Sequence, residues 1–179
     1  MVKARVPRGP SLVVTRRPGA PMRGILRFGA LALPCAIGRA GVTRLKREGD
    51  GATPAGCYAL LHGFARTDRI GRPATRAPLR AIAPHWGWSD DAGSPRYNRL
   101  VTLPVRESAE RLWRDDRLYD VVIVLDYNIA PRRRGRGSAI FFHVAHDALT
   151  PTEGCVALRL ADMRRLLPRL TRATCMIIR

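Results

Sequence analysis

The sequence predicts a mainly β fold, and three observations carry that prediction. Its apolar residues fall into short β-branched or aliphatic runs cut repeatedly by the 16 Gly and 14 Pro of the chain. Only two stretches show helical spacing, and no apolar run is long enough to cross a membrane. At 179 residues and 46% hydrophobic content, the chain is long enough for one well-filled core, so residues 1–179 are expected to form a single domain.

In chain order, the expected strands are residues 11–17 (SLVVTRR), 23–29 (RGILRFG) and 30–38 (ALALPCAIG). Arginines ahead of an apolar patch in 15–40 imitate an export leader. Arg27 inside the patch, Pro34 interrupting it and the lack of an A-x-A cleavage site favour folded strands instead. Residues 56–66 (GCYALLHGFAR) follow as a strand, entered through the hairpin-forming Thr53-Pro54-Ala55-Gly56. Residues 67–98, rich in Gly, Pro and Arg, read as a long surface excursion forming a wall of a site, with Trp86, Trp88 and Tyr97 as candidate lining. Residues 99–105 are expected as a strand, and 108–115 (SAERLWRD) as a short helix capped by Ser108. Residues 120–128 (DVVIVLDYN) are apolar on both phases over 121–125, which predicts a central strand covered on both faces. Residues 138–145 (SAIFFHVA) form another strand. Residues 161–170 form a helix, with Met163, Leu166, Leu167 and Leu170 on one face and Pro168 weakening its last turn. Residues 174–179 close the chain as a strand.

The formal charge of +18 suggests a polyanionic partner. However, only Lys3 and Lys46 of the 32 basic residues are lysines, and an Arg, Ala, Gly and Pro bias of this kind also follows from GC-rich coding. Nucleic acid is therefore not the expected partner. The densest run, 131–137 (PRRRGRG), reads as a solvated loop or a clamp for carboxylates. Glu48 and Asp50 are expected solvated or paired with Arg44 or Arg47. The four cysteines are too widely and irregularly spaced for a disulfide framework. Cys35, Cys57 and Cys175 sit in apolar, strand-like settings and read as small core residues.

Cys155 differs, because it follows Gly154 in a turn downstream of two histidines, in FFHVAHDALTPTEGCVALRL (141–160). A thiol becomes a nucleophile when a base or a positive setting eases its ionisation and a turn presents it. His143, twelve residues earlier at the end of an apolar strand, is the favoured base and His146 its rival. Backbone N–H groups of the turn can face an oxyanion. A metal reading also exists, since His143, His146, Glu153 and Cys155 are four possible ligands within thirteen residues. It lacks a second paired cluster, and no metal is expected.

The stretch SAIFFHVA…PTEGCVALRLADMRRLL resembles the signature of the L,D-transpeptidase (YkuD-type) catalytic domain, in its compact stand-alone branch. That signature is an apolar strand ending in His, then a loop leading to Ser/Thr-x-Gly-Cys. KREGDGATPAGCYAL (46–60), about ninety residues earlier, resembles the Asp-Gly-x-Thr-Pro-x-Gly hairpin of the same family. The resemblance implies a β-sandwich-like fold with one or two short helices. It implies that Cys155 attacks a carbonyl of a peptidoglycan stem peptide, that His143 manages protons, that the N–H groups of Gly154 and Cys155 hold the oxyanion, and that Thr152 orients the turn. The thioester formed would be resolved by a neighbouring stem's amine. Substrate-side positions would be Glu153, His146, Val156, Arg159, Tyr97 and Arg99, with Arg96 a further candidate for carboxylates. No cofactor is implied, the partners are stem peptides, and the chain is expected to be monomeric; the substrate places it in the periplasm or envelope, with the cytoplasm as the alternative because residues 15–40 do not read as a convincing signal peptide.

Three departures from the family pattern bear on which bond is cut and which amine accepts: Glu153 where many members have His, Ala157 two residues after the cysteine, and a short His-to-Cys loop. Short-loop members are associated with linking L-Ala to diaminopimelate. Two alternatives stand beside transpeptidation: hydrolysis of the same thioester by an L,D-carboxypeptidase, and a basic polyanion-binding protein with incidental thiols.

Overall fold

The computed structural model describes residues 9–179, and the first eight residues of the expected domain lie outside that range. Three strands open the fold as a meander, β1 (Ser11–Arg17), β2 (Ala20–Phe28) and β3 (Leu31–Ala36). The leader-like segment thus contributes β2, β3 and the end of β1. The other main strands are β6 (Gly56–Ala65), β11 (Val121–Leu125), β12 (Phe141–Ala145), β13 (Val156–Arg159) and β14 (Cys175–Ile178), after the two-residue β4 (Val42–Thr43) and β5 (Thr53–Pro54). Their order β11-β12-β13-β3-β2-β1-β14-β6 closes on itself through β11–β6 pairing, giving a barrel-like sheet. Closure leaves these strands no free edge to aggregate. The fold is mainly β, as the sequence predicts.

Alternation along the strands sorts their side chains to two sides. Val121, Ile123 and Leu125 of β11, and Phe142 and Val144 of β12, join the main core with Leu12, Leu26, Leu158 and Met176. The helix α2 (Leu160–Leu166), continued by a 3-10 turn over Leu167–Arg169, lays Met163, Leu166, Leu167 and Leu170 on that core. No helix among the described residues is long and apolar enough to cross a membrane.

The opposite phase, Val122 and Val124 of β11 and Phe141 of β12, enters a second cluster with Phe64, Trp88, Leu112, Tyr119 and Cys155. The expectation that 121–125 is covered on both faces therefore holds. What covers it is the excursion, which carries α1 (Thr67–Ile70), β7 (Leu79–Ala81) and β8 (Trp86–Ser89). β8 lies between β9 (Arg99–Thr102) and β10 (Ala109–Arg111) in a small sheet of its own. Here one expectation fails, since 108–115 is not a helix. Ala109–Arg111 pairs antiparallel with Ser89–Gly87, and the Ser108 carbonyl accepts the Asp90 N–H. Cross-strand pairing and the complete burial of Leu112 override the local helical spacing.

Of the four cysteines, all free, Cys35 and Cys175 are buried and Cys57 is half-buried.

Candidate active site at the lip of the closed sheet

β12 and β13 run parallel, with His143 opposite Ala157 and Phe142 opposite Val156. That register places Cys155, just before β13, on the same face as Phe141, His143 and Ala157, so thiol and imidazole are diagonal neighbours. Both line one cavity of about 550 Å³, together with His146, Thr152 and Glu153. The lip forms because β12 begins only at Phe141. Ala139 adopts a left-handed backbone (φ 50°), and its N–H donates to Asn98 Oδ1 at 3.1 Å. Asn98 Oδ1 also accepts Trp88 Nε1–H at 2.9 Å.

The thiol is tied to this lip. Cys155 Sγ–H donates to the Ala139 carbonyl at 3.2 Å, and the Phe141 N–H donates to Sγ at 3.3 Å. Below it, Thr152 Oγ1 donates to the Cys155 carbonyl at 2.7 Å and accepts the Gly154 N–H at 3.2 Å. The Thr53 hydroxyl reaches the same carbonyl at 3.5 Å, while accepting the Gly38 N–H at 2.8 Å. Thr152 is further pinned through its own N–H to Ile37 O and through its carbonyl to Arg39 N–H. Gly154 has φ 136°, and a Cβ there would stand 2.8 Å from the Ala52 carbonyl, so only glycine fits between the two turns.

His143 Nδ1 lies 2.7 Å from the Val144 carbonyl. A carbonyl only accepts, so Nδ1 carries the proton, and in the neutral ring Nε2 keeps a lone pair. Burial lowers the imidazole pKa to about 4, against the opposing pull of the Val144 and Leu118 carbonyls. Burial likewise raises the Cys155 pKa to about 12, with the Glu110 charge adding to the rise and the Phe141 N–H and Lys46 opposing it. Both shifts run in the direction of the uncharged forms, thiol and neutral imidazole.

The remaining predicted positions divide. His146 is exposed in the cavity wall, and Glu153 is paired with Arg39 at 2.9 Å, both well exposed. Four substrate-side expectations do not line the cavity. Val156 points into the main core, because strand alternation turns it away from Cys155. Arg159 Nε donates to the Asp147 carbonyl. Tyr97 is 2% exposed, with its hydroxyl donated to Glu48. Arg99 projects from β9 outside the cavity, as do Arg96, paired with Glu107, and the 132–136 arginines. Trp88 packs edge-on against Phe141 and Trp86 against Phe64, so they brace the wall from behind. Glu48 and Asp50 also differ from expectation. Glu48 accepts from Tyr97 and Ser138, and Asp50 pairs with buried Lys46 at 2.5 Å and takes backbone N–H groups of Arg47 and Ala52.

Sequence reasoning missed a second group in the same cavity. Tyr119 sets its ring edge against His143 (centroids 5.3 Å apart) and donates its hydroxyl to Glu110 at 2.6 Å. Arg114 stands 3.7 Å from that carboxylate and also pairs with Asp116. The misassigned helix at 108–115 hid Glu110 and Arg114; on a strand, Glu110 reaches the cavity. Among the described residues, no three His, Cys, Asp or Glu side chains are placed to hold a metal ion.

A family profile, YkuD, the L,D-transpeptidase catalytic domain, matches residues 25–178. Among curated proteins none matches. Similar solved structures include L,D-transpeptidase 3 from Mycobacterium tuberculosis, 15% identical with TM-score 0.45, covering 96% of this chain and 62% of the other. An L,D-transpeptidase from Mycobacterium smegmatis is 10% identical with TM-score 0.43, covering 96% and 59%. The chain thus spans about three fifths of the length of these structures.

Proposed function

Because the chain belongs to the L,D-transpeptidase catalytic domain family, we propose that it is a cysteine acyltransferase that cross-links peptidoglycan stem peptides, with residues 1–179 acting as one catalytic domain. The observation that supports this most is the Cys155 and His143 pair on one cavity wall, with the His143 proton committed to Val144. In this reading Nε2 takes the thiol proton as sulfur attacks the carbonyl at an L-configured centre of the donor stem. The imidazolium then protonates the departing D-amino acid, leaving a thioester on Cys155. Thr152 occupies the Gly154 N–H, which leaves the Cys155 N–H as the turn's donor to the oxyanion. Lys46, in the same cavity, acts on the sulfur in the sense that stabilises negative charge. An amine from a second stem then displaces sulfur and restores the thiol.

The test is to incubate wild type and Cys155→Ala with disaccharide tetrapeptide and identify products by mass spectrometry. The reading expects cross-linked dimers from wild type and none from the variant. A carbapenem should add to Cys155 at one equivalent by intact mass. Dimers formed by Cys155→Ala would sink the reading, and trimmed monomers without dimers would reject transfer in favour of hydrolysis.

A further inference from the structure

Glu110 stands where it hinders the first half of the proposed reaction. Of the charged side chains acting on Cys155, it does most to oppose ionisation of the sulfur. Burial raises its own pKa, and the Tyr119 hydroxyl at 2.6 Å and Arg114, which hold it in place, pull toward the carboxylate. A carboxylate kept beside a nucleophilic thiol calls for a role in the other half, where a cation must arrive.

The cavity is inverted in charge relative to the chain. Against 32 Lys and Arg and 14 Asp and Glu overall, its walls carry Glu48, Asp90, Glu110 and Glu153 but only two of those cations, Lys46 and Arg114. Lys46 is taken by Asp50, Arg114 by Glu110 and Asp116, and Glu153 by Arg39, which leaves Glu48 and Asp90 without a cationic partner among the described residues. Glu110 and Asp90 share a face of the small sheet, because Glu110 is opposite Trp88 and Ser108 therefore falls opposite Asp90. A separate observation points to a ligand. Asp90 Oδ1 is sealed from solvent without a hydrogen-bond partner among the described residues. A buried carboxylate oxygen in that state is costly, and the Asp90 side chain borders the same cavity.

We propose that Glu110, with Asp90 beside it, recognises the acceptor of the second half-reaction as a cationic primary amine and holds it against the Cys155 thioester. The proposal rests on the thioester reading above. The ammonium sheds one proton to solvent and its nitrogen attacks the thioester carbonyl. The C–N bond forms as the C–S bond breaks, and the second amine proton passes through His143 Nε2 to the departing sulfur. The products are an amide and free Cys155 thiol. The two carboxylates bind and orient the amine, and raise its local concentration in a protein whose wider field repels cations.

The experiment measures two rates in wild type, Glu110→Gln and Asp90→Asn. One is carbapenem acylation of Cys155 by intact mass. The other is the partition of the stem-peptide acyl-enzyme between two nucleophiles, a diaminopimelate-containing stem (cationic) and hydroxylamine (uncharged at neutral pH). Gln keeps the Tyr119 hydrogen bond and removes the charge. Glu110→Gln should acylate several-fold faster, lose at least tenfold in partition to the stem amine, and lose less than twofold to hydroxylamine. Asp90→Asn should shift partition in the same direction by a smaller factor. A purely structural role would slow acylation or reduce both nucleophiles equally, and either result overturns the proposal, as does an unchanged stem-amine partition. Wild type that gains no carbapenem adduct at Cys155 would instead strike the thioester reading, and this proposal with it.

Discussion

If the resting dyad is uncharged, Cys155 should be a poor target for a small alkylating agent that brings no proton acceptor, and a good one for a substrate that engages His143. With the thiol raised from 9.0 to about 12, its ionised fraction at pH 7 falls from about 10⁻² to about 10⁻⁵. The more basic thiolate recovers part of this. At a Brønsted slope of about 0.4–0.5, three units return a factor of about 16–32. Iodoacetamide should therefore modify Cys155 about 30- to 60-fold more slowly than an ordinary exposed thiol, before any loss from restricted access. The rate should climb tenfold per pH unit from pH 6 to 9.5 without a plateau. Peptide mapping against pH reads this and separates Cys155 from half-buried Cys57. His143→Gln should leave the iodoacetamide rate within about threefold yet cut donor acylation by about 10²–10⁴, because on the proposed mechanism the imidazole acts only once the substrate is present. A plateau between pH 5 and 7, or an alkylation rate that collapses with His143, would show a resting ion pair and refute the reasoning.

Three further outcomes follow from the same geometry. Gly154→Ala combines a φ of 136° with a Cβ 2.8 Å from the Ala52 carbonyl. It should cost about 1–3 kcal/mol, seen calorimetrically as a lower Tm, and reduce carbapenem adduct formation at least tenfold; an unchanged Tm would contradict it. Thr53→Val and Thr152→Val each remove a hydroxyl from the Cys155 carbonyl, at about 1 kcal/mol apiece. Because the two share one acceptor, a double-mutant cycle in urea should show at least about 0.5 kcal/mol of coupling, and strict additivity would deny the shared role. Acid should weaken the fold through His143. The unfolded imidazole binds a proton below about pH 6.5 and the folded one only near pH 4, so stability falls across that window as pH drops, by at most about 3 kcal/mol. Urea midpoints at pH 7 and 4 should converge in His143→Gln relative to wild type.

The strands were legible where apolar runs are long or bounded by Gly and Pro. Residues 121–125, apolar on both phases, lie between two packed layers as their pattern requires. Residues 108–115 misled because i, i+3 spacing over one turn is also what a short edge strand and its following bend can present. There the decision came from pairing with Ser89, a contact no local window contains. The cavity was half legible. Cys155, His143 and Thr152 announce themselves through a turn and a strand end. Glu110, Tyr119 and Asn98 sit in ordinary sequence and gain their roles only when the small sheet folds onto β11 and β12. Val156 shows the opposite error, since adjacency to Cys155 in sequence places it on the other face of its strand.

The two stretches that carry the family likeness are one physical object. Asp50 gathers the Lys46 ammonium and the N–H groups of Arg47 and Ala52, which fixes a tight turn. That turn sets the Ala52 carbonyl against Gly154 and sends the Thr53 hydroxyl toward the Cys155 carbonyl. Thr152 reaches the same carbonyl from the other side, and the chain at Ile37 and Arg39 locks Thr152 in turn. The sulfur is therefore positioned through its own carbonyl, by groups that never approach it, while Ala139 and Phe141 fix its direction from above. A thiol held this way needs no resting charge to be ordered. On the proposed mechanism, orientation of the sulfur is supplied by the scaffold in advance, so the burial that disfavours charge on both Cys155 and His143 does not cost the pair its alignment.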